Sequence, residues 1–138
     1  MVEVMAKEKL NVQLNQSING VEFGSDANIV RNVFGKQKRS FKKSVFSKGH
    51  TDVYDGFHIY YSSEGTFEAI EIFGDTEAYV DGHIVFPGNV SNLHAVIPDL
   101  KGNGGEFISE QNSVGVMVND DGMTIESILF GRKNYYGT

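Results

Sequence analysis

Apolar and polar residues alternate in short bursts along this chain. In FHIYY, Phe57, Ile59 and Tyr61 fall on one side, and His58 and Tyr60 on the other. That period of two marks a half-buried strand. Ser-Ser-Glu-Gly follows, and Gly65 offers a turn position free to take positive φ. The return segment puts Ile70 and Ile72 on one side and Phe67, Ala69, Glu71 and Phe73 on the other. The layout recurs downstream. Val114, Val116 and Val118 alternate, Asn-Asp-Asp-Gly turns, and the return places Ile128 and Phe130 opposite Ile125, Ser127 and Leu129. Two hairpins are therefore predicted, Gly56–Gly74 and Ser113–Gly131, each closing on Phe-Gly.

A helical pattern precedes each hairpin. FGSDANIVRNVFG predicts a helix over Ala27 to Phe34, with Ser25 as N-cap, Asp26 beside the positive end of the dipole and Gly35 as the stop. Ile29, Val30, Val33 and Phe34 form its expected apolar stripe. A second helix is expected within Asn89 to Asp99, capped by Asn89 or Ser91, striped by Leu93, Val96 and Ile97 and closed by Pro98. Between the units, EAYVDGHIVF carries Asp81-Gly82, a strong two-residue hairpin signal. Leu10 to Leu14 alternates as a strand. Lys36 to Gly49 reads as loop or irregular strand. Leu100 to Glu110 reads as a flexible connection, and the second unit ends in RKNYYGT without a counterpart of the Glu77–Phe86 hairpin.

These elements imply an α+β fold and one domain over residues 1–138, with internal repeat units at 20–74 and 88–131. The expected architecture is two helix–hairpin repeats forming a mostly antiparallel sheet, with two short helices packed on one face. A tandem unit that starts with FGSDANIVRNVFG and closes with IEIFG or ILFG resembles the beta-lactamase-inhibitor-protein repeat. The chain is also similar to small bacterial proteins, some of them immunity-like partners of toxins. The resemblance implies a non-enzymatic module that binds a protein, as an inhibitor or immunity-type partner. The cysteine pair, the tryptophans and the secretion signal of that family are absent here.

Composition narrows the chemistry. With 40% hydrophobic and 22% charged residues, a chain of this length can build an ordinary globular core. It has no cysteine, which excludes disulfides, thiolate catalysis and thiolate metal sites. The start MVEVMAKEKLNVQLNQ has no long apolar run, so the expectation is a cytoplasmic protein with no membrane association. The net charge is −6, unevenly spread: Ala27 to Thr51 holds seven Lys or Arg and no acid, while Asp52 to Thr138 holds 14 acids against three bases. An acidic majority disfavours nucleic acid and suits a protein partner, especially a basic one.

Several residue groups could carry function. His50, Asp52, Asp55 and His58 are the best grouping with the chemistry of a metal site. Their spacing matches no standard motif, so no metal or cofactor is expected. A small metal-dependent hydrolase built on them is the alternative function, and a structural homo-oligomer, in the simplest case a homodimer, is another. Glu68 and Glu126 recur at matching repeat positions, with Glu71 three residues beyond Glu68, which favours cross-strand or surface roles over acid–base chemistry. Lys38, Arg39, Lys42 and Lys43, interleaved with Phe41 and Phe46, form a candidate anion-binding run. If the helices cover the Phe57/Ile59 face, the opposite face presents His58, Tyr60 and Phe67, joined by Tyr79, as candidate protein-binding residues.

Overall fold

A computed structural model describes residues 9–42 and 49–136 of the chain. The strands are β1 (Lys9–Gln13), β2 (Ser17–Ile18), β3 (Val21–Glu22), β4 (Arg39–Lys42), β5 (His50–Tyr54), β6 (Phe57–Tyr61), β7 (Phe67–Ile72), β8 (Glu77–Val80), β9 (His83–Phe86), β10 (Lys101–Asn103), β11 (Glu106–Ser109), β12 (Val114–Val118) and β13 (Ile125–Gly131). Helix α1 (Ala27–Phe34) precedes β4, and α2 (Val90–Val96) precedes β10. The fold is α+β, but with two sheets in place of the one expected. Strands β3-β2-β1-β8-β9 form a five-stranded sheet in which β1 and β8 run parallel. Strands β10-β11-β12-β13-β7-β6-β5-β4 form an eight-stranded antiparallel sheet.

The eight-stranded sheet is two four-stranded meanders joined edge to edge through β7 and β13, where Ile70 faces Phe130 and Ile72 faces Ile128. The predicted hairpins are β6–β7 and β12–β13. Residues Leu100 to Glu110 are not a flexible connection. Asn103-Gly104-Gly105-Glu106 turns tightly between β10 and β11, with Gly104 at φ 66°, a two-glycine hairpin that lets short strands pair. The second helix is thus also followed by four strands.

This internal repetition extends to the backbone around each helix start. Asp26, the N-cap of α1, bridges Thr66; Asn89, the N-cap of α2, bridges Thr124. The Phe67 amide donates to the Ser25 carbonyl at 2.8 Å, and the Ile125 amide to the Gly88 carbonyl at 3.0 Å. Only the second cap uses its side chain, Asn89 accepting from the Asn92 amide. At α1 the cap is Asp26, not Ser25, and makes no side-chain bond.

One buried cluster joins both sheets and both helices: Leu10, Val12 and Val80 of the smaller sheet, Val30 and Leu93 of the helices, and Ile59, Ile70, Ile128 and Phe130 of the larger. The stripe expected on α1 needs correction. Ile29 and Val33 are each 51% exposed. The face that meets the core is Ala27, Val30, Arg31 and Phe34, with the i, i+3, i+4, i+7 spacing of one helical side. Arg31 takes an inward position because Asp52, at 0% exposure, pairs with it. At α2, Leu93 and the C-cap residue Ile97 are buried as expected, and Val96 is partly buried against the same cluster.

A β-bulge corrects a second expectation. Tyr60 faces Ala69 but Tyr61 faces Phe67, so Glu68 is the extra residue of β7. Side-chain parity flips across a bulge. Phe67 therefore lies on the inner face beside Tyr61, 1% exposed and packed on Phe23 at 4.7 Å. It is not part of the face that carries Tyr60.

Candidate functional site

Strand pairing places Arg39, Val53, His58, Glu71, Leu129, Gly115, Ile108 and Lys101 in one row across the outer face of the eight-stranded sheet. Phe41, Thr51, Tyr60, Ala69 and Gly131 form the next row. The middle of the face is apolar and aromatic around one carboxylate, Glu71, with Arg39 and Lys101 on the two edge strands. His58 meets Phe73 edge-on at 4.8 Å and Tyr60 at 6.5 Å. The Tyr60 hydroxyl donates to Glu71 Oε1 at 2.6 Å.

The segment after β13 folds back over this face. The Tyr135 amide donates to the Arg132 carbonyl at 2.9 Å, and Asn134 takes φ 66° to make the turn. Tyr135 and Tyr136 meet edge to face at 5.1 Å. They sit where the sheet has no side chains: a Cβ on Gly131 would lie 2.6 Å from the Tyr135 ring, and one on Gly115 would collide with the Tyr136 phenol oxygen. Arg132 anchors the segment, its amide donating to the Glu68 carbonyl at 2.9 Å and its guanidinium 3.4 Å from the Glu68 carboxylate.

Burial and the Glu71 bond push the Tyr60 phenol well above its ordinary pKa. Burial, with Tyr135, Glu106 and Glu71 nearby, pushes Tyr136 up to about 12. Burial lowers His58 against the opposing pull of Glu71. At neutral pH the face therefore presents protonated phenols and a largely neutral imidazole beside carboxylates. Its chemistry is that of aromatic packing and hydrogen bonding.

The predicted metal grouping is split by the sheet. His50 and Asp52 point inward, where His50 stacks on Tyr61 at 4.4 Å. His58 points outward, and Asp55 is in the β5–β6 turn, paired with Lys38 at 2.5 Å. Asp52 is occupied by both prongs of Arg31 and by the Tyr61 hydroxyl at 3.0 Å. Among the described residues, no three His, Asp or Glu side chains are grouped to hold a metal ion.

Of the predicted protein-binding residues, His58 and Tyr60 share a face. Phe67 lies in the core, and Tyr79 is on β8 of the other sheet, its hydroxyl donating to Glu77 at 3.2 Å. Of the basic run, Arg39 lies 5.6 Å from the exposed Phe41 ring and Lys42 ends β4. Lys43 and Phe46 lie outside the described residues. Glu68 forms the expected long-range pair, with Arg132. The residues missed from sequence are Tyr135 and Tyr136. Their signal was two adjacent aromatic residues following a strand whose outward positions include glycine, a combination that leaves ring-sized gaps.

No protein-family model, no curated protein and no solved structure matches this chain. Among the described residues, no helix is long and apolar enough to cross a membrane.

Proposed function

We propose that the chain is a non-enzymatic module that docks a protein partner through the outer face of the eight-stranded sheet, in the manner of an inhibitor or immunity-type protein. The observation that carries this reading is the concentration on that face of Tyr60, His58, Tyr135 and Tyr136 around Leu129, each only half-buried. Tyrosines provide large, rigid contact area with a hydrogen-bonding end, and they dominate the energetics of many interfaces. The inner face is committed to the core, whereas the outer face is accessible to a partner. The two helix-plus-meander halves read as copies of one unit, whose edge-to-edge union at β7 and β13 makes a face broader than either meander alone.

The test uses the chain as bait in native lysate alongside two variants. Leu129→Lys puts a charge in the middle of the face; Ile29→Asp changes the exposed side of α1. A protein retained by the unmodified chain and by Ile29→Asp, but lost with Leu129→Lys, is the expected result. Equal retention by Leu129→Lys, or no retained protein at all, contradicts the reading.

A further inference from the structure

The segment Arg132–Tyr136 has two features that bear on what this face recognises. Its sequence, RKNYY, is basic and then aromatic. The surface beneath is complementary in both respects: Glu68 receives Arg132, while the gaps at Gly131 and Gly115 receive the two rings. Arg132 is fixed through its backbone, bridging Asn15 and donating to the Glu68 carbonyl, whereas among the described residues Lys133–Tyr136 make no strand pairing and Asn134 holds the left-handed conformation of a tight turn. Among the described residues its one ion pair is the solvent-accessible contact with Glu68, and such pairs contribute little. Beyond Arg132, the segment is held mainly by the seating of the two rings on Gly131 and Gly115.

From this we infer that Arg132–Tyr136 is an internal ligand of the docking face, and that the partner inserts a segment of the same basic-aromatic chemistry into the same two gaps, displacing Tyr135 and Tyr136. The inference rests on the docking reading above and adds the partner's chemistry and a built-in competitor. An attached competitor acts at a high effective concentration, so it lowers the apparent affinity for any partner segment that needs the same gaps. The acids around the phenols, Glu71 and Glu106, favour cations on the incoming segment. Arg39 and Lys101 stand at the sheet edges, at the two ends of the outer row, and do not oppose it at the centre.

The probe is a fluorescently labelled peptide, Arg-Lys-Asn-Tyr-Tyr, titrated into the full chain. The double variant Tyr135→Ser/Tyr136→Ser empties the gaps and is expected to bind the peptide about tenfold or more tightly than the unmodified chain. A control peptide with both tyrosines replaced by serine is expected to show no gain. Circular dichroism and a melting curve establish that the variant is folded. Should it not fold, Arg132→Glu removes the exposed anchor, keeps both rings, and is expected to show a smaller gain. Absence of any gain in the folded variant, or an equal gain for the serine peptide, overturns the inference. If the peptide fails while the retained protein still depends on Leu129, the docking reading stands and only the internal-ligand inference falls. If retention is independent of Leu129, the docking reading itself falls.

Discussion

Arg31 and Asp52 form a two-pronged ion pair beneath α1. Nε meets Oδ2 and Nη2 meets Oδ1, each at 2.9 Å. Burial pushes the Asp52 carboxyl up, but hydrogen bonds from Arg31, Ser40 and Tyr61, with the guanidinium charge, outweigh it and hold the carboxyl below its ordinary pKa. The folded value thus lies below an unfolded value of about 3.9. The stabilisation is complete above that pH and is lost as pH falls through the folded value. Arg31→Ala leaves a buried carboxylate without its cation and is expected to cost ~3–5 kcal/mol at pH 7. The penalty shrinks in acid, where a neutral carboxyl tolerates burial. Urea denaturation of both proteins at pH 7 and at a pH well below about 3.9 checks this, and an equal cost at both would contradict it.

The alkaline limb depends on the outer face. The Tyr60 and Tyr136 phenols are both raised above the ordinary value of about 10. A group that holds its proton more tightly when folded stabilises the fold below its unfolded pKa, and that contribution is lost as pH rises from about 10 toward the folded value. Stability is expected to fall as pH rises above about 10. Tyr60→Phe should flatten that fall while losing on the order of 1 kcal/mol at neutral pH from the Glu71 bond. Thermal melts from pH 8 to 11 read both effects.

The two sides of α1 should respond differently. Val30 is 0% exposed and Ile29 is 51% exposed. Val30→Ala is expected to cost on the order of 2 kcal/mol through a cavity, and Ile29→Ala to stay within roughly 0.5 kcal/mol. Paired denaturation curves check the assignment.

Phe67 shows where periodicity stops being a guide. Alternation counted back from Ile72 puts it on the face of Glu71. The bulge at Glu68 breaks the count and turns the ring into the core against Phe23. Phe67→Ala is therefore expected to cost about 3–5 kcal/mol; a change under about 1 kcal/mol would return the ring to the surface. The local elements were legible for direct reasons: Ala27–Phe34, the Asp81-Gly82 hairpin and both Phe-Gly hairpins carry strong patterning and turn residues. What was not legible depends on partners distant in sequence. The parallel pairing of β1 with β8, the inward turn of Arg31 toward Asp52, and the seating of Tyr135 and Tyr136 on Gly131 and Gly115 are each decided by tertiary neighbours. Local propensity carries no record of them.

The docking face itself is tested most directly by a photo-crosslinking amino acid placed singly at Tyr60, Leu129 and Ile29, with the captured partner identified by mass spectrometry. Crosslinks to the partner from positions 60 and 129, and none from 29, are the predicted result. Crosslinks from 29 alone would move recognition to α1 and contradict the account.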